Sequence, residues 1–175
     1  MKSRLALWAA AVLLAACASA PTPADYAAEK PALDLKTYFN GELVAHGIFT
    51  DRAGKVARRF TVQMTGTWNG GQGTLDERFT YSDGHTEQRI WHLTDQGGGH
   101  YTGRADDVLG EAVGSAAGNA LNWRYTLKLP VDGTVYEVQF DDWMFQMDER
   151  VLLNRATMSK FGFRLGEVTL SFCRK

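Results

Sequence analysis

The chain has 175 residues, which suits one domain of ordinary size and leaves too little for two. Hydrophobic residues make up 45% and charged residues 22%, the composition of a packed core and not of a disordered chain. The formal net charge is −1 and no basic stripe interleaved with aromatics occurs, which argues against a nucleic-acid partner.

Lys2 and Arg4 form a short positive n-region, and Leu5 to Leu14 is the apolar h-region behind it. That run is too short to span a bilayer core, which needs about 20 helical residues, so it reads as a secretory signal. Its end, Leu14-Ala15-Ala16-Cys17, resembles the bacterial lipobox. The resemblance implies cleavage before Cys17, a diacylglycerol on its thiol and an acylated amine. Several acyl chains bind a bilayer far more stably than one. Ala18, where Asp would favour inner-membrane retention, points by the same resemblance to the outer membrane, facing the periplasm. The alternative is an ordinary signal cut at Ala18–Ala20 with Cys17 incidental. The expected division is a signal over 1–16, a flexible lipid-anchored tether over 17–32 and one domain over 33–175. The tether reading rests on the small, polar, Pro-punctuated composition from Ala18 to Pro31. With Cys17 acylated, Cys173 is left without a disulfide partner.

Beyond the tether, 18 glycines against 4 prolines suggest many tight turns in an antiparallel β protein. Residues 41–51 read as a strand, 52–55 as a hairpin turn and 56–68 as the next strand. In the latter, Phe60, Val62, Met64 and Trp68 share one face and Arg59, Thr61, Gln63 and Thr65 the other. Residues 74–81 alternate again, with Leu75, Phe79 and Tyr81 in phase. Strands follow over 86–93 and 100–105. If the glycine-rich run at 95–99 joins a hairpin, His92 and His100 fall diagonally on one face, but a zinc site needs a third ligand and none is evident; the plain reading is solvated histidines near a turn.

The segment 106–119 carries Gly110, Gly114 and Gly118 four residues apart, a spacing that in lipid marks helix packing. Asp106, Asp107 and Glu111 interrupt it and no long apolar run surrounds it, so it is not a membrane span. A short helix is expected here, with an irregular loop as the alternative. In 120–129, Leu121, Trp123, Tyr125, Leu127 and Leu129 share one face. Further on, Tyr136, Val138 and Phe140 are in one phase and Trp143, Phe145 and Met147 in the other, which predicts a β-bulge at Asp141–Asp142. Two more strands complete the chain. The fold expected is all-β: an antiparallel up-and-down β-barrel, calycin- or lipocalin-like, of about nine strands with one short helix or loop at 106–119. A β-sandwich is the alternative.

No G-x-S-x-G, H-E-x-x-H, P-loop or C-x-x-C motif occurs, and no catalytic residue, metal or cofactor is expected. The adjacent carboxylates Asp141 and Asp142 beside Trp143 could act as acid and base, or bind a ligand or cation with Asn154. Neighbours on a regular strand point to opposite faces, so the plainer role is to fix the bulge. The aromatic set is mostly core, with a subset available to line a cavity; about eight strands enclose either a filled interior or one small ligand.

Taken together, "GQGTLDERFTYSDG", "GEAVGSAAGNALNWRYTL", "LPVDGTVYEVQFDDWMFQMDE" and "LLNRATMSKFGFRLGEVTLSF" resemble a family of uncharacterised bacterial lipoproteins, a domain of unknown function. The resemblance implies a calycin-like barrel, no established activity and a loose link to the upkeep of membrane lipids. The Gly-x-Trp of Gly66–Trp68 ends the second strand here and is not a lipocalin signature. The function expected is a non-enzymatic module anchored to the membrane through acyl chains on Cys17 that binds an apolar or acyl ligand. A scaffold for another envelope protein is the alternative, and a hydrolase using Asp141 and Asp142 the third reading.

Overall fold

A computed structural model describes residues 19–131 and 133–175. The signal segment and Cys17 lie outside the described residues. The period-2 runs become ten strands: β1 (Gly41–Asp51), β2 (Val56–Asn69), β3 (Gln72–Tyr81), β4 (Thr86–Gly97), β5 (His100–Arg104), β6 (Ala112–Ala117), β7 (Ala120–Val131), β8 (Thr134–Gln146), β9 (Val151–Lys160) and β10 (Phe163–Arg174). Each pairs antiparallel with the next, and β1 pairs with β10 from Leu43↔Arg174 to Asp51↔Gly166. The sheet is therefore a closed meander barrel with no exposed edge. This is the up-and-down, calycin-like architecture that the alternation predicts, with ten strands where about nine are expected.

The tenth is β6, inside the segment expected to be a short helix. Residues 105–109 instead form a turn and a single bridge, Val108↔Leu127, and 112–117 a strand between β5 and β7. The three glycines do not form one packing face. Gly110 and Gly118 take left-handed φ values of 71° and 54°, which favour glycine. Gly114 lies beneath the Trp123 ring, where a Cβ would collide with the indole.

The bulge expected at Asp141–Asp142 is absent. The β7–β8 ladder runs without interruption from Ala120↔Phe145 to Val131↔Thr134, and the β8–β9 ladder is equally regular. Register shifts fall at Phe49/Thr50, Asp95/Gly97 and Arg164/Gly166 instead. The apolar pattern changes phase because Trp143 and Phe145 face outward. They are covered by Tyr26, whose ring meets theirs edge-on at centroid distances of 6.0 and 5.1 Å. Tyr26 ends a 3-10 turn (Pro23–Tyr26) inside the stretch expected to be a flexible tether. That stretch packs on the outside of the barrel, where a Cβ at Gly118 would collide with the Tyr26 carbonyl; just past it, the Leu33 amide donates to the Gly118 carbonyl.

One end of the barrel is plugged. Asp34 caps the one-turn helix α1 (Leu35–Tyr38), its side chain accepting from the Thr37 amide at 2.7 Å. Leu33, Leu35, Tyr38 and Phe39 are all buried. The Tyr38 hydroxyl donates to the Arg150 carbonyl at 2.9 Å, and Lys36 pairs with Asp95. Gly66 receives the plug, since a Cβ there would collide with the Phe39 carbonyl. The opposite end, formed by the hairpin turns at 52–55, 82–85 and 161–162, the β7–β8 junction and the 105–111 loop, is the mouth.

Candidate functional site

Inward side chains alternate along every long strand, yet they do not fill the barrel. A cavity of about 590 Å³ remains between the plug and the mouth. This lies within the roughly 300–1,000 Å³ of small-molecule sites. Its walls are chiefly apolar, with Phe60, Phe79, Trp91, Trp123, Tyr125 and Phe140 among them. The aromatics brace one another: Trp91 stands edge-on to Trp123 at 5.7 Å and to Tyr125 at 5.4 Å, and Tyr125 stacks on Phe140 at 4.9 Å.

A polar group interrupts this wall. Glu77 on β3 and Arg89 on β4 occupy inward positions of the apolar phase, with side chains 12% and 18% exposed. Arg89 lies 3.9 Å from Glu77 and donates to both oxygens of Asp107, from Nε to Oδ1 at 3.1 Å and from Nη2 to Oδ2 at 2.7 Å. Burial opposes the Arg89 charge, but its hydrogen bonds to Asp107 and the negative charges around it outweigh that penalty and hold its pKa above the ordinary value. Burial raises the pKa of Glu77 to about 7, with Arg89 and the Trp91 side chain pulling the other way. Burial also raises Asp142 to about 8, against Arg89 and with reinforcement from the charges of Asp141 and Glu77.

The sequence-based candidates divide between the two faces of the sheet. Asp142 and Asn154 face inward, line the cavity and are 7% and 2% exposed. They are diagonal neighbours on the inner face, since Asp142 pairs with Ala156 and Asn154 with Met144. Asp141 and Trp143 face outward. Asp141 accepts from Asn122 Nδ2 at 2.6 Å and from Arg124 Nε at 3.2 Å, and Trp143 lies under Tyr26. The structure thus brings together two of the four and separates the adjacent carboxylates, so they form no acid–base dyad and fix no bulge. Asp142 Oδ1 and Asn154 Oδ1 are buried without a hydrogen-bond partner. Such orphaned acceptors cost about 1–3 kcal/mol each, so they are features that need a reason.

Sequence reasoning missed Glu77, Arg89 and Asp107. The signal was present in β3 and β4: Glu77 shares the phase of Leu75, Phe79 and Tyr81, and Arg89 that of Trp91 and Leu93. A charged residue in the buried phase of a strand is the mark of a site. The two histidines do not meet, as His92 pairs with Arg104 and His100 with Gly97, at opposite ends of the β4–β5 ladder. Among the described residues no group of three or more His, Cys, Asp or Glu could hold a metal ion. No helix among them is long and apolar enough to cross a membrane. Cys173 is a free thiol, 3.9 Å from Arg150 Nη2.

The mouth carries an apolar rim. Phe161 is 84% exposed and Phe163 73%, and Val131, Val135 and Tyr136 on the neighbouring hairpin are also exposed. Phe161 has a φ of 51°, a left-handed value that costs a bulky residue about 1 kcal/mol or more. A two-residue hairpin turn of this kind favours Asn before Gly162. Lys160 lies over the Tyr136 and Phe161 rings at 4.3 and 5.2 Å.

These features define a calycin-like, ten-stranded meander barrel, plugged at one end and hollow within. The chain belongs to the DUF3833 family, described as "Protein of unknown function (DUF3833)", whose model matches residues 11–174. Comparison with curated proteins returns no match. Among solved structures, a de novo designed fluorescence-activating β-barrel is 13% identical, with 82% of this chain and 99% of that one covered and a TM-score of 0.42.

Proposed function

We propose that this protein is a non-enzymatic, lipid-anchored envelope protein that holds an apolar, acyl-type molecule inside its barrel. The observation that carries the reading is the cavity of about 590 Å³ behind walls of Phe, Trp, Leu and Met. A scaffold protein has no use for such a hollow, and a barrel without a ligand forgoes the packing that would fill it. The rim supports access from a lipid surface. Phe161 and Phe163 are placed to enter the acyl region, while Arg52, Lys55 and Lys160 on the hairpins at that end suit anionic headgroups. Acylation of Cys17 rests on the lipobox. The N-terminal segment leaves at the plugged end, so an anchor there would point the mouth away from the bilayer that holds it, toward the opposite membrane of the envelope.

The test is native mass spectrometry of the unacylated Cys17→Ser protein purified from cells, with extraction of bound lipid. We expect a mass adduct that solvent removes. If no lipid co-purifies, and added fatty alcohols, esters, acids and phospholipids all fail to bind, the binding role is wrong.

A further inference from the structure

We propose that the molecule held in the barrel presents a hydrogen-bond donor and no negative charge at its polar end, as a long-chain alcohol or amine does and a fatty acid does not. The inference rests on the reading of the cavity as a binding site and names the ligand chemistry that the site accepts.

Two observations define that chemistry. The first is the pair of acceptors without partners. Asp142 Oδ1 and Asn154 Oδ1 are buried and make no hydrogen bond, and both residues line the same hollow. The Asn154 amide is oriented by its own donor, Nδ2, which reaches the Trp143 carbonyl at 3.4 Å. Turning the amide over would set two carbonyl oxygens against each other, so Oδ1 is the atom left for a partner. Among the described residues, the other two unpartnered buried side-chain oxygens, on Asn119 and Gln146, belong to residues that do not line the cavity. Asn154 Oδ1 can only accept, and Asp142, a neutral carboxyl at neutral pH, adds an accepting oxygen beside its own O–H, so the interior suits a group that donates, and a hydroxyl can do so while also accepting from Asp142.

The second observation is the state of the cations. Among the described residues, those lining the cavity are Arg58 and Arg89. Arg89 is held by Asp107 and Glu77, and Arg58 by Asp83 at 2.7 Å. A carboxylate entering the barrel finds no guanidinium to itself. It meets the Glu77 and Asp142 carboxyls instead, and its desolvation is left uncompensated. A hydroxyl or amine brings the missing donor, and its chain lies against the aromatic wall. An amine has the added option of drawing the Asp142 proton and binding as an ion pair.

Equilibrium dialysis of the full Cys17→Ser chain, freed of bound lipid, decides the matter with four probes of equal chain length: dodecanol, dodecylamine, dodecanoic acid and methyl dodecanoate. We expect the alcohol, the amine or both to bind at least tenfold more tightly than the acid and the ester; which of the two is stronger identifies the donor. Asp142→Leu with Asn154→Leu should erase this preference and leave ester binding intact. Asn154→Ala alone, a milder change, should reduce it. Acid or ester binding as tight as the alcohol overturns the donor requirement while leaving the barrel a binding protein. Failure of all four probes overturns both.

Discussion

Arg89 and Asp107 close a gap in the barrel wall. β5 and β6 are short, and the β4–β5 ladder ends at His92↔Arg104, so residues 86–91 of β4 pair with β3 on one side and have no strand on the other. The 105–111 loop fills the space from the β7 side: the Lys128 amide donates to the Asp107 carbonyl and the Leu109 amide to the Thr126 carbonyl. The named hydrogen bonds that tie this loop to β4 run from the Arg89 guanidinium to the Asp107 carboxylate.

Loosening that latch should open the wall locally without unfolding the barrel. Asp107→Ala is expected to speed amide hydrogen exchange at Leu109 and Lys128 by at least tenfold, with β9 and β10 unchanged. Exchange measured by mass spectrometry with peptide resolution reads this directly. Equal acceleration around the whole barrel would mean that the pair supports global stability instead.

Stability should fall as pH rises. The pKa of Asp142 in the folded protein, about 8, lies above its ordinary value of 3.8, and that of Glu77, about 7, lies above 4.5. A carboxyl raised in this way contributes stability that is complete below its unfolded pKa and is lost as pH rises through the folded value. The environment comprises Arg89, Asp107, Asp141 and Tyr125 as well as the two carboxyls themselves. Thermal midpoints should therefore be higher at about pH 5 than at about pH 9. Asp142→Asn, neutral throughout, should flatten the profile between them. An unchanged slope in that variant would assign the dependence to other groups.

Phe161 should be a site where stability and function oppose each other. Phe161→Asn suits the left-handed backbone and is expected to stabilise the fold by about 1 kcal/mol in chemical denaturation. The same change should slow the uptake of a labelled acyl probe from anionic vesicles. Faster or equal uptake would remove the rim from the access route.

Gly66→Ala should displace the plug. The added methyl meets the Phe39 carbonyl, which is backbone and cannot rotate away. Overpacking of this kind costs about 1–3 kcal/mol. At about 2–4 °C per kcal/mol for a chain of this size, a fall of several degrees in Tm is expected. Gly54→Ala in an exposed turn has open space around it and serves as the control for backbone strain alone, with a φ of 86°.

Cys17→Ser should abolish fatty-acid labelling and release the protein from the membrane fraction. Continued labelling and sedimentation of the substituted protein would remove the lipid anchor from the account.

The long strands were legible because each buries one face: Phe60, Val62 and Met64, or Leu121, Trp123 and Leu127, cannot alternate so regularly for any other reason. β6 was not, because its inward residues are small. Gly103 and Gly114 yield their space to the Trp123 ring, so the apolar volume of that part of the wall is written in β7. β8 misled for the opposite reason, as both its faces are covered near one end, the outer one by Tyr26. Alternation reports burial, not the direction of the core, and an outer face packed by a distant segment carries the same signature. The site was half visible for a similar reason. Asp142 drew notice by its neighbour Asp141, which proved irrelevant to the cavity, whereas Arg89 and Glu77 were hidden in strands of mixed polarity.

The even number of strands has a practical result. A meander of ten returns to the side from which it set out, and the Lys175 amide accordingly donates to the Glu42 carbonyl near the start of β1. Leu33, hydrogen-bonded to Gly118, enters at the same base. A fluorophore or affinity handle attached after Lys175 thus sits a full strand length from the opening, where it can report on the molecule without obstructing what passes through. Residues grafted into the turns at 52–55 or 161–162 would do the reverse, reshaping the opening while the base of the barrel keeps its native contacts.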